Sequence, residues 1–267
     1  MKTVLTIAGS DSSAGAGIQA DIKTITAHGL YATSAITALT AQNTMGVAMI
    51  CETRPDCLAA QIDSVCEDIY PDAVKIGMVF SKPLIEVIAK KCEQYKWSNI
   101  VLDPVMVSTS GHHLLKEDAQ EALIERLVPK CDIVTPNIPE MEQLTGQKIT
   151  GKEEMLCAAK QFFKTYHKAV LVKAGHCMEH ADDLLVKEGV EKWYGSERID
   201  AQNTHGTGCT LSSAIACHLA LGENMEMAVQ NAKNYVTGAI RAGLNLGKGS
   251  GPLYHMWEYY SIDNVPK

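Results

Sequence analysis

The segment NTHGTGC at residues 203–209 holds the amino acids best suited to bind an anion. Apolar residues then recur at Leu211, Ile215 and Leu219 before Gly222, which predicts a helix that begins close to this segment. Backbone N–H groups in the first turn of a helix have no partner within the helix, and the helix dipole adds positive potential there. The pattern therefore predicts an anion site, and the residues that would form it are Gly206, Thr207, Gly208 and Cys209.

Cys209 is the only one of the nine cysteines that the sequence places where a helix start should lower the pKa of a thiol. We therefore expect the thiol of Cys209 to titrate below its usual pKa of about 8.5 and to have a functional role. The other eight cysteines form no C-x-x-C pair, which argues against zinc ribbons and thioredoxin-like motifs. We expect them to be reduced and mostly buried.

Polar residues also follow several apolar segments that are typical of strands. Asp103 follows NIVL, Asn137 and Glu140 follow DIVTP, Lys173 follows AVLV, and the loop GSDSS follows VLTIA. Ligands bind at the carboxyl ends of the strands in an open α/β sheet, so we expect these residues along one edge of the sheet. Each alone is typical of a strand cap or a turn. Together they suit a site for a metal ion, a phosphate group and a nucleotide.

Short β-branched segments alternate with amphipathic segments along the chain, which predicts a mostly parallel sheet with helices on both faces. A hairpin around Gly189 predicts antiparallel strands at one edge, and the lack of repeats or linkers favours a single domain over residues 1–267. The predicted strands cover residues 4–8, 33–39, 73–76, 100–102, 132–135, 169–172, 184–187 and 192–199. Helical periodicity is clearest over residues 18–25, 58–69, 84–88, 211–219 and 229–240.

The segment GAGIQA at residues 15–20 matches the G-x-G-x-x-A pattern of dinucleotide-binding proteins. That pattern requires its glycines in the turn directly after the first strand. Here the first strand is predicted to end near Gly9, and the next one ends in Gln42 and Asn43 with no acid to bind a ribose. These features disfavour a nicotinamide oxidoreductase.

The charge and hydropathy of the chain disfavour other classes of protein. The 267 residues carry 24 Lys and Arg against 31 Asp and Glu, a net charge of −7, with no run of five basic residues, which argues against nucleic-acid binding. No segment approaches the ~18 consecutive apolar residues of a membrane-spanning helix. The N-terminal residues lack the pattern of a secretory signal. We expect a cytoplasmic protein that binds neither nucleic acid nor a membrane.

Seven segments occur in order along the chain: GSDSSAGAGIQAD (9–21), TALTAQNT (37–44), KIGM (75–78), VLDPVMVSTSG (101–111), TPNIPE (135–140), KAGH (173–176) and NTHGTGCTLSSA (203–214). These segments resemble the hydroxymethylpyrimidine/phosphomethylpyrimidine kinases of thiamine biosynthesis, a family of the ribokinase-like superfamily. The resemblance extends from about residue 3 to GKGSGP at 247–252. HGTGC together with AQNT is its most specific part, because the other segments are shared with relatives such as pyridoxal kinases.

This resemblance implies a ribokinase-like three-layer α/β sandwich. It also implies phosphorylation of 4-amino-5-hydroxymethyl-2-methylpyrimidine, and then of its monophosphate, with ATP as co-substrate, Mg²⁺ as cofactor and a homodimer as the assembly. The pyrimidine-pocket residues implied are Gly9, Asp21, Gln42, Met78 and Val105. The metal and phosphate residues implied are Asp103, Glu140, Asn137 and Lys173. Gly206, Thr207, Gly208 and Cys209 would form the anion hole, with Cys209 where sugar kinases of the superfamily carry an aspartate base.

Two alternatives to this interpretation are a pyridoxal kinase and a non-catalytic binding module. A pyridoxal kinase of the same fold, or an enzyme with both activities, shares most of the motifs. The segment AQNT favours the pyrimidine, because the carboxamide of Gln42 offers the paired donor and acceptor that an aminopyrimidine needs. A non-catalytic pyrimidine-binding module is disfavoured, because binding alone needs none of Asp103, Glu140, Lys173 and Cys209, which are all present.

Overall fold

A computed structural model of the chain describes residues 1–106, 117–175, 182–195, 199 and 203–261. Within these ranges nine strands form one sheet, in the order β3-β2-β1-β4-β5-β6-β7-β8-β9. They are β1 Thr3–Asp11, β2 Tyr31–Asn43, β3 Gly46–Glu52, β4 Ala73–Ile76, β5 Ile100–Leu102, β6 Ile133–Val134, β7 Ala169–Val172, β8 Asp183–Lys187 and β9 Val190–Tyr194. Pairing is parallel from β2 to β7 and antiparallel at both ends of the sheet, as expected for a mostly parallel sheet.

Helices cover both faces of this sheet and make a three-layer structure. They are α1 Gly17–Ala27, α2 Pro55–Cys66, α3 Lys82–Tyr95, α4 Glu117–Ala122, α5 Ile138–Thr145, α6 Lys152–Tyr166, α7 Thr207–Ala220 and α8 Met225–Arg241. A π-helical turn, Leu123–Leu127, and a 3₁₀ turn, Val128–Lys130, follow α4. No helix in the described part of the chain is both long enough and apolar enough to cross a membrane.

Two hydrophobic cores lie on opposite faces of the sheet. Helices α1, α7 and α8 share one core with Ala73 of β4, whereas α2 to α6 share the other core with Val74 and Ile76. Successive side chains of a strand point to opposite faces, so a strand buried on both sides must be apolar at nearly every position. This is why segments such as AVLV show no alternation.

The structure confirms the predicted strands at residues 73–76, 100–102 and 169–172 and the antiparallel hairpin around Gly189, which has the positive φ of +69° that glycine favours. Two predictions need correction. The sequence analysis missed β3, whose half-exposed residues give no clear pattern. Strand β1 also continues past Gly9 to Asp11, because Ser10 and Asp11 pair with Leu39 and Thr40 of β2.

Three other strands differ from the prediction only in their bounds. Strand β2 is longer than predicted at both ends, β6 is shorter, and β9 ends at Tyr194 instead of residue 199. Residues 196–198 lie outside the described part of the chain. The longer β2 carries Gln42 inside the strand instead of after it, which bears on the site described next.

Candidate active site

The carboxyl ends of β5 and β7 meet the N-terminus of α7. Lys173, directly after β7, donates a hydrogen bond of 2.8 Å from Nζ to Oδ1 of Asp103, directly after β5. A Cβ atom added to Gly208 would lie 3.4 Å from Asp103 Oδ2 and 3.4 Å from Lys173 Nζ. The structure therefore brings together, at one edge of the sheet, three residues that the sequence predicted to share a site.

Asn137 and Glu140 form a reciprocal cap at the start of α5. The amide of Glu140 donates to Oδ1 of Asn137, and the amide of Asn137 donates to Oε2 of Glu140, each over 2.8 Å. The side chain of Asn137 therefore caps α5, which is the role expected of this residue when it is considered by itself. Glu140 is only 5% exposed, and its second carboxyl oxygen is a candidate ligand for a cation.

The charges at this edge are coupled. Burial raises the pKa of Glu140 to about 7, although the positive charge of Lys173 opposes the shift. Burial alone would lower the pKa of Lys173, but the carboxylates of Asp103 and Glu140 outweigh it, so the net pKa is raised. Lys173 is therefore a cation at neutral pH, in a position to contact an anion.

The start of α7 has a tightly constrained backbone. Gly206 has φ +82°, and a Cβ atom there would lie 1.9 Å from the carbonyl oxygen of Gly15, so only glycine fits. The amide of Thr207 donates to Thr204 O, and the first intrahelical bond runs from Thr210 N to Gly206 O. The sequence analysis expected free amides at all four residues from 206 to 209. Because the amide of Thr207 is already bonded, the anion site depends on those that follow it, at Gly208 and Cys209.

The predicted direction of the pKa shift at Cys209 is wrong. Burial raises the pKa of this thiol to about 11, while the positive charge of Lys75 opposes the shift and the carboxylates of Asp21 and Asp103 add to it. Cys209 is half-buried, and the helix start does not compensate for the desolvation of its thiol.

The expectation that the other cysteines are mostly buried holds for some of them only. Of those in the described part of the chain, Cys51, Cys57 and Cys157 are exposed. The buried ones are Cys66, Cys92, Cys131 and Cys217. Cys177 lies outside the described residues.

An apolar wall lies beside this edge of the sheet. A Cβ atom on Gly9 of β1 would lie 3.0 Å from Sδ of Met78, and Met78 packs with Val105 and Phe80 in a small cluster around Ala38. Gly9, Met78 and Val105, which the sequence predicted in one pocket, are thus neighbours. Gly9 leaves room for the sulfur atom, and a flat ring could lie against this surface.

Asp21, which the resemblance placed in the same pocket, is buried in a different set of contacts. Its side chain is fully buried, with Nζ of Lys75 2.9 Å from both carboxylate oxygens. Thr6 and Ser213 donate further hydrogen bonds to it, of 2.6 Å and 2.8 Å. Sequence reasoning missed Lys75, because within the strand AVKI it gave no sign that its ammonium group would be buried.

Gln42 lies next to two residues that sequence reasoning did not assign. Nε2 of His205 is 2.8 Å from Oδ2 of Asp11 and 3.2 Å from Nε2 of Gln42. Asp11 belongs to the segment GSDSS and His205 to HGTGC, so both lay within motifs already singled out. Only the fold, which brings together residues 194 positions apart, could show that they meet.

Comparisons with known proteins show the family of the chain. A family model described as phosphomethylpyrimidine kinase matches residues 11–254. The hydroxymethylpyrimidine/phosphomethylpyrimidine kinase of Streptomyces coelicolor is 45% identical over 254 residues, which cover 95% of this chain and 94% of that protein. The thiamine biosynthesis bifunctional protein ThiED of Geobacter sulfurreducens is 47% identical over 255 residues, but this chain spans only 52% of its length.

Solved structures give the same result for the fold. The crystal structure of phosphomethylpyrimidine kinase from Clostridium difficile has a TM-score of 0.82 at 47% identity, covering 90% of this chain and all of that one. The ADP complex of Bacillus subtilis pyridoxal kinase has a TM-score of 0.88 at 35% identity, covering 96% of this chain and 97% of that one. These similarities confirm the ribokinase-like fold that was expected from the sequence.

Proposed function

Because this chain belongs to the phosphomethylpyrimidine kinase family, we propose that it phosphorylates 4-amino-5-hydroxymethyl-2-methylpyrimidine with ATP, and then the monophosphate to the diphosphate, in thiamine biosynthesis. One observation carries the proposal to the level of residues. The Asp103–Lys173 ion pair lies against Gly208 in the first turn of α7, so charge and helix amides face the same point.

The phosphate end of the site supplies electrostatic stabilisation. Phosphoryl transfer depends mainly on positioning and on neutralising the charge of the transferring group. Lys173 would bind the ATP phosphates, and the amides of Gly208 and Cys209 would bind the phosphoryl oxygens at the positive end of α7. Lys173 and these amides would together supply the electrostatic stabilisation of the transferring group.

Asp103 and Glu140 are the residues that would hold Mg²⁺. Both are buried carboxyl groups, and Mg²⁺ takes oxygen ligands, commonly one or two carboxylates together with substrate phosphates and water. The raised pKa of Glu140 fits a carboxyl group whose buried charge is not fully compensated by Lys173. In the described part of the chain no three His, Cys, Asp or Glu side chains cluster as a metal site, so phosphate oxygens would complete the ligand set. Bound there, Mg²⁺ would neutralise negative charge on the phosphates.

The pyrimidine would lie against the wall of Gly9, Met78 and Val105. Gln42 at the margin of this wall would hydrogen-bond the exocyclic amine and a ring nitrogen. Asp21 would act through Lys75 by holding the buried charges in place. The hydroxymethyl group would then face the first turn of α7, with Cys209 as the nearest candidate proton acceptor.

A pyridoxal kinase activity is the second candidate, because the pyridoxal kinase of Bacillus subtilis has the same fold. The two substrates differ at the group that Gln42 would contact, since pyridoxal has no amine beside a ring nitrogen. Release of ADP should be measured with each substrate in turn, for the unaltered chain and for Gln42→Ala. We expect a higher kcat/KM for the pyrimidine, lost selectively in Gln42→Ala. A higher kcat/KM for pyridoxal would reverse the assignment.

The assembly and the location of the protein stay predictions. Relatives of this fold lead us to propose a homodimer, which sedimentation equilibrium would test. A cytoplasmic location is proposed on the same basis, together with the reduced cysteines expected of the chain.

A further inference from the structure

Asp11 is the centre of a buried polar network at the end of β1. Its carboxylate accepts hydrogen bonds from the amide and the hydroxyl of Ser13 and from the amides of Gly15 and Ala16. Burial favours the neutral acid, but the hydrogen bonds from His205 and Ser13 outweigh it and lower the pKa of Asp11 to about 2. At neutral pH Asp11 is therefore an anion, which only accepts hydrogen bonds.

This charge determines the role of the His205 ring. Nε2 of His205 lies 2.8 Å from Oδ2 of Asp11, and an acceptor-only carboxylate requires Nε2 to carry a proton. The ring is held in place, since His205 is 7% exposed and its amide donates to Gly251 O. A Cβ atom on Gly15 would lie 2.3 Å from Cδ2 of the ring, so the imidazole has no room to move toward Gly15.

The carboxamide of Gln42 must adapt to these fixed partners. It has Nε2 3.2 Å from His205 Nε2 and Oε1 3.2 Å from Thr40 Oγ1. The hydroxyl of Thr40 gives its only proton to Ser10 O, and His205 Nε2 already carries a proton, so neither contact pairs a donor with an acceptor. A half-turn of the carboxamide removes both conflicts, because Nε2 then donates to Thr40 and Oε1 takes the place beside the protonated Nε2 of His205. The single N–H of His205 donates mainly to Asp11 at 2.8 Å, so at 3.2 Å it attracts Oε1 and disfavours an NH₂ group there without making a second full hydrogen bond.

We propose that His205 is a positioning residue that, with Asp11, holds the Gln42 carboxamide in the orientation an aminopyrimidine requires. In this orientation Gln42 keeps one free N–H and one free lone pair, which suit a ring nitrogen and the amine beside it. The backbone of Gln42 is fixed as well, because its amide and carbonyl both hydrogen-bond the hydroxyl of Ser12. The inference rests on the proposed function and assigns a specificity role to a histidine next to the anion hole.

A double-mutant cycle tests this role. The dissociation constant of 4-amino-5-hydroxymethyl-2-methylpyrimidine should be measured by calorimetry for the unaltered chain, His205→Leu, Gln42→Ala and the double variant. We expect His205→Leu to weaken binding about five- to tenfold when Gln42 is present, the scale of one hydrogen bond. When Gln42 is absent, the same change should weaken binding by less than about twofold, since the two residues act through one contact.

Two further arms separate positioning from general damage. His205→Gln, whose amide can donate to Asp11 from nearly the same place, should restore most of the affinity. The analogue without the 4-amino group, which keeps only the ring-nitrogen contact with Gln42, should lose less affinity in His205→Leu than the aminopyrimidine does. If His205→Leu does not fold, Gly15→Ala takes its place in the cycle, because its methyl group must displace the ring.

Equal losses in both Gln42 backgrounds would overturn the positioning role. That result would leave the proposed function intact, provided that the unaltered chain binds and phosphorylates the pyrimidine. No binding by the unaltered chain would instead contradict the proposed function and, with it, the role of His205.

Discussion

The ammonium group of Lys75 lies 2.9 Å from both carboxylate oxygens of Asp21, and neither side chain is exposed to solvent. This pair joins β4 to α1, and Ser213 of α7 donates a hydrogen bond to the same carboxylate. Three elements that converge below the candidate active site are therefore linked through one buried charge pair.

Lys75→Met should destabilise the fold strongly, because it leaves the carboxylate of Asp21 buried without its counter-charge. Breaking a buried ion pair in this way costs about 3–5 kcal/mol in the free energy of unfolding. Denaturation by urea measures the loss, and Lys75→Met combined with Asp21→Asn should recover much of it. The matched control is Lys2→Met, which breaks a half-exposed pair with Asp72 and should cost less than about 1 kcal/mol. Similar losses for the two lysine variants would contradict the assigned role.

Lys173→Met should impair catalysis more than folding. The ammonium group of Lys173 would lie 3.4 Å from a Cβ atom on Gly208 in the first turn of α7. Loss of one contact to transferring phosphates lowers kcat/KM by roughly ten- to a thousandfold. Lys148→Met is the control, because Lys148 forms an exposed ion pair with Glu142 and has no role in the site. Steady-state release of ADP gives kcat/KM for both variants. An unchanged kcat/KM in Lys173→Met would remove this lysine from the mechanism.

The sequence predicted the sheet and the residues at its edge because both follow from local patterns. Apolar segments give strands such as β4 and β7, and parallel strands bring Asp103 and Lys173 to one edge whatever lies between them. Burial of single polar groups does not follow from such patterns. Lys75 is a polar residue in an apolar strand, and its ion pair requires the packing of α1 against β4.

The same limit explains the error at Cys209. Its position at a helix start was visible in the sequence, whereas the extent of its burial was set by distant segments. The contact between His205 and Asp11 likewise depends on the end of β1 meeting the segment before α7 in the folded chain, and no spacing in the sequence encodes it.

His255 should make the fold less stable in acid. Its Nε2 lies 3.1 Å from the hydroxyl of the buried Thr210 in the first turn of α7. Burial, with the positive charge of Lys23, lowers the pKa of His255 from 6.5 to about 4. Between pH 6.5 and about 4 the imidazole of His255 binds a proton in the unfolded chain but not in the folded chain. The free energy of unfolding is therefore at its full value above pH 6.5 and decreases as the pH falls to about 4. The loss from this group is about 3 kcal/mol.

Urea denaturation at a series of pH values checks this expectation. His255→Gln should flatten the fall in unfolding free energy between pH 6.5 and 4, relative to the unaltered chain. His167→Asn is the matched control, since it also replaces a histidine but at an exposed position at the end of α6. An unaltered slope in His255→Gln would show that other groups, such as the half-buried His28, whose pKa is lowered mainly by burial, cause the acid sensitivity.

The thiol of Cys209 should react slowly with iodoacetamide in the free enzyme. Its pKa of about 11 leaves only a very small fraction as the reactive thiolate at pH 8, whereas Cys51, Cys57 and Cys157 are exposed. Peptide mass spectrometry over time should therefore find these three labelled before Cys209. Labelling of Cys209 first would restore the interpretation that the helix start controls its pKa.

Cys209→Ala decides whether this thiol is the catalytic base. A positioned base contributes about two to four orders of magnitude to kcat, so a loss of that size with unchanged pyrimidine binding would assign the proton transfer to Cys209. The thiol would then have to lose its proton when substrates bind, and the buried charge of Lys75 and a hydrogen bond from the backbone of Gly17 both favour the thiolate. Cys209→Asp should in that case keep part of the activity, because a carboxylate can also accept the proton. Turnover of Cys209→Ala near the original rate would instead mean that water takes the proton late in the reaction, and that Lys173 and the amides of α7 supply most of the catalysis.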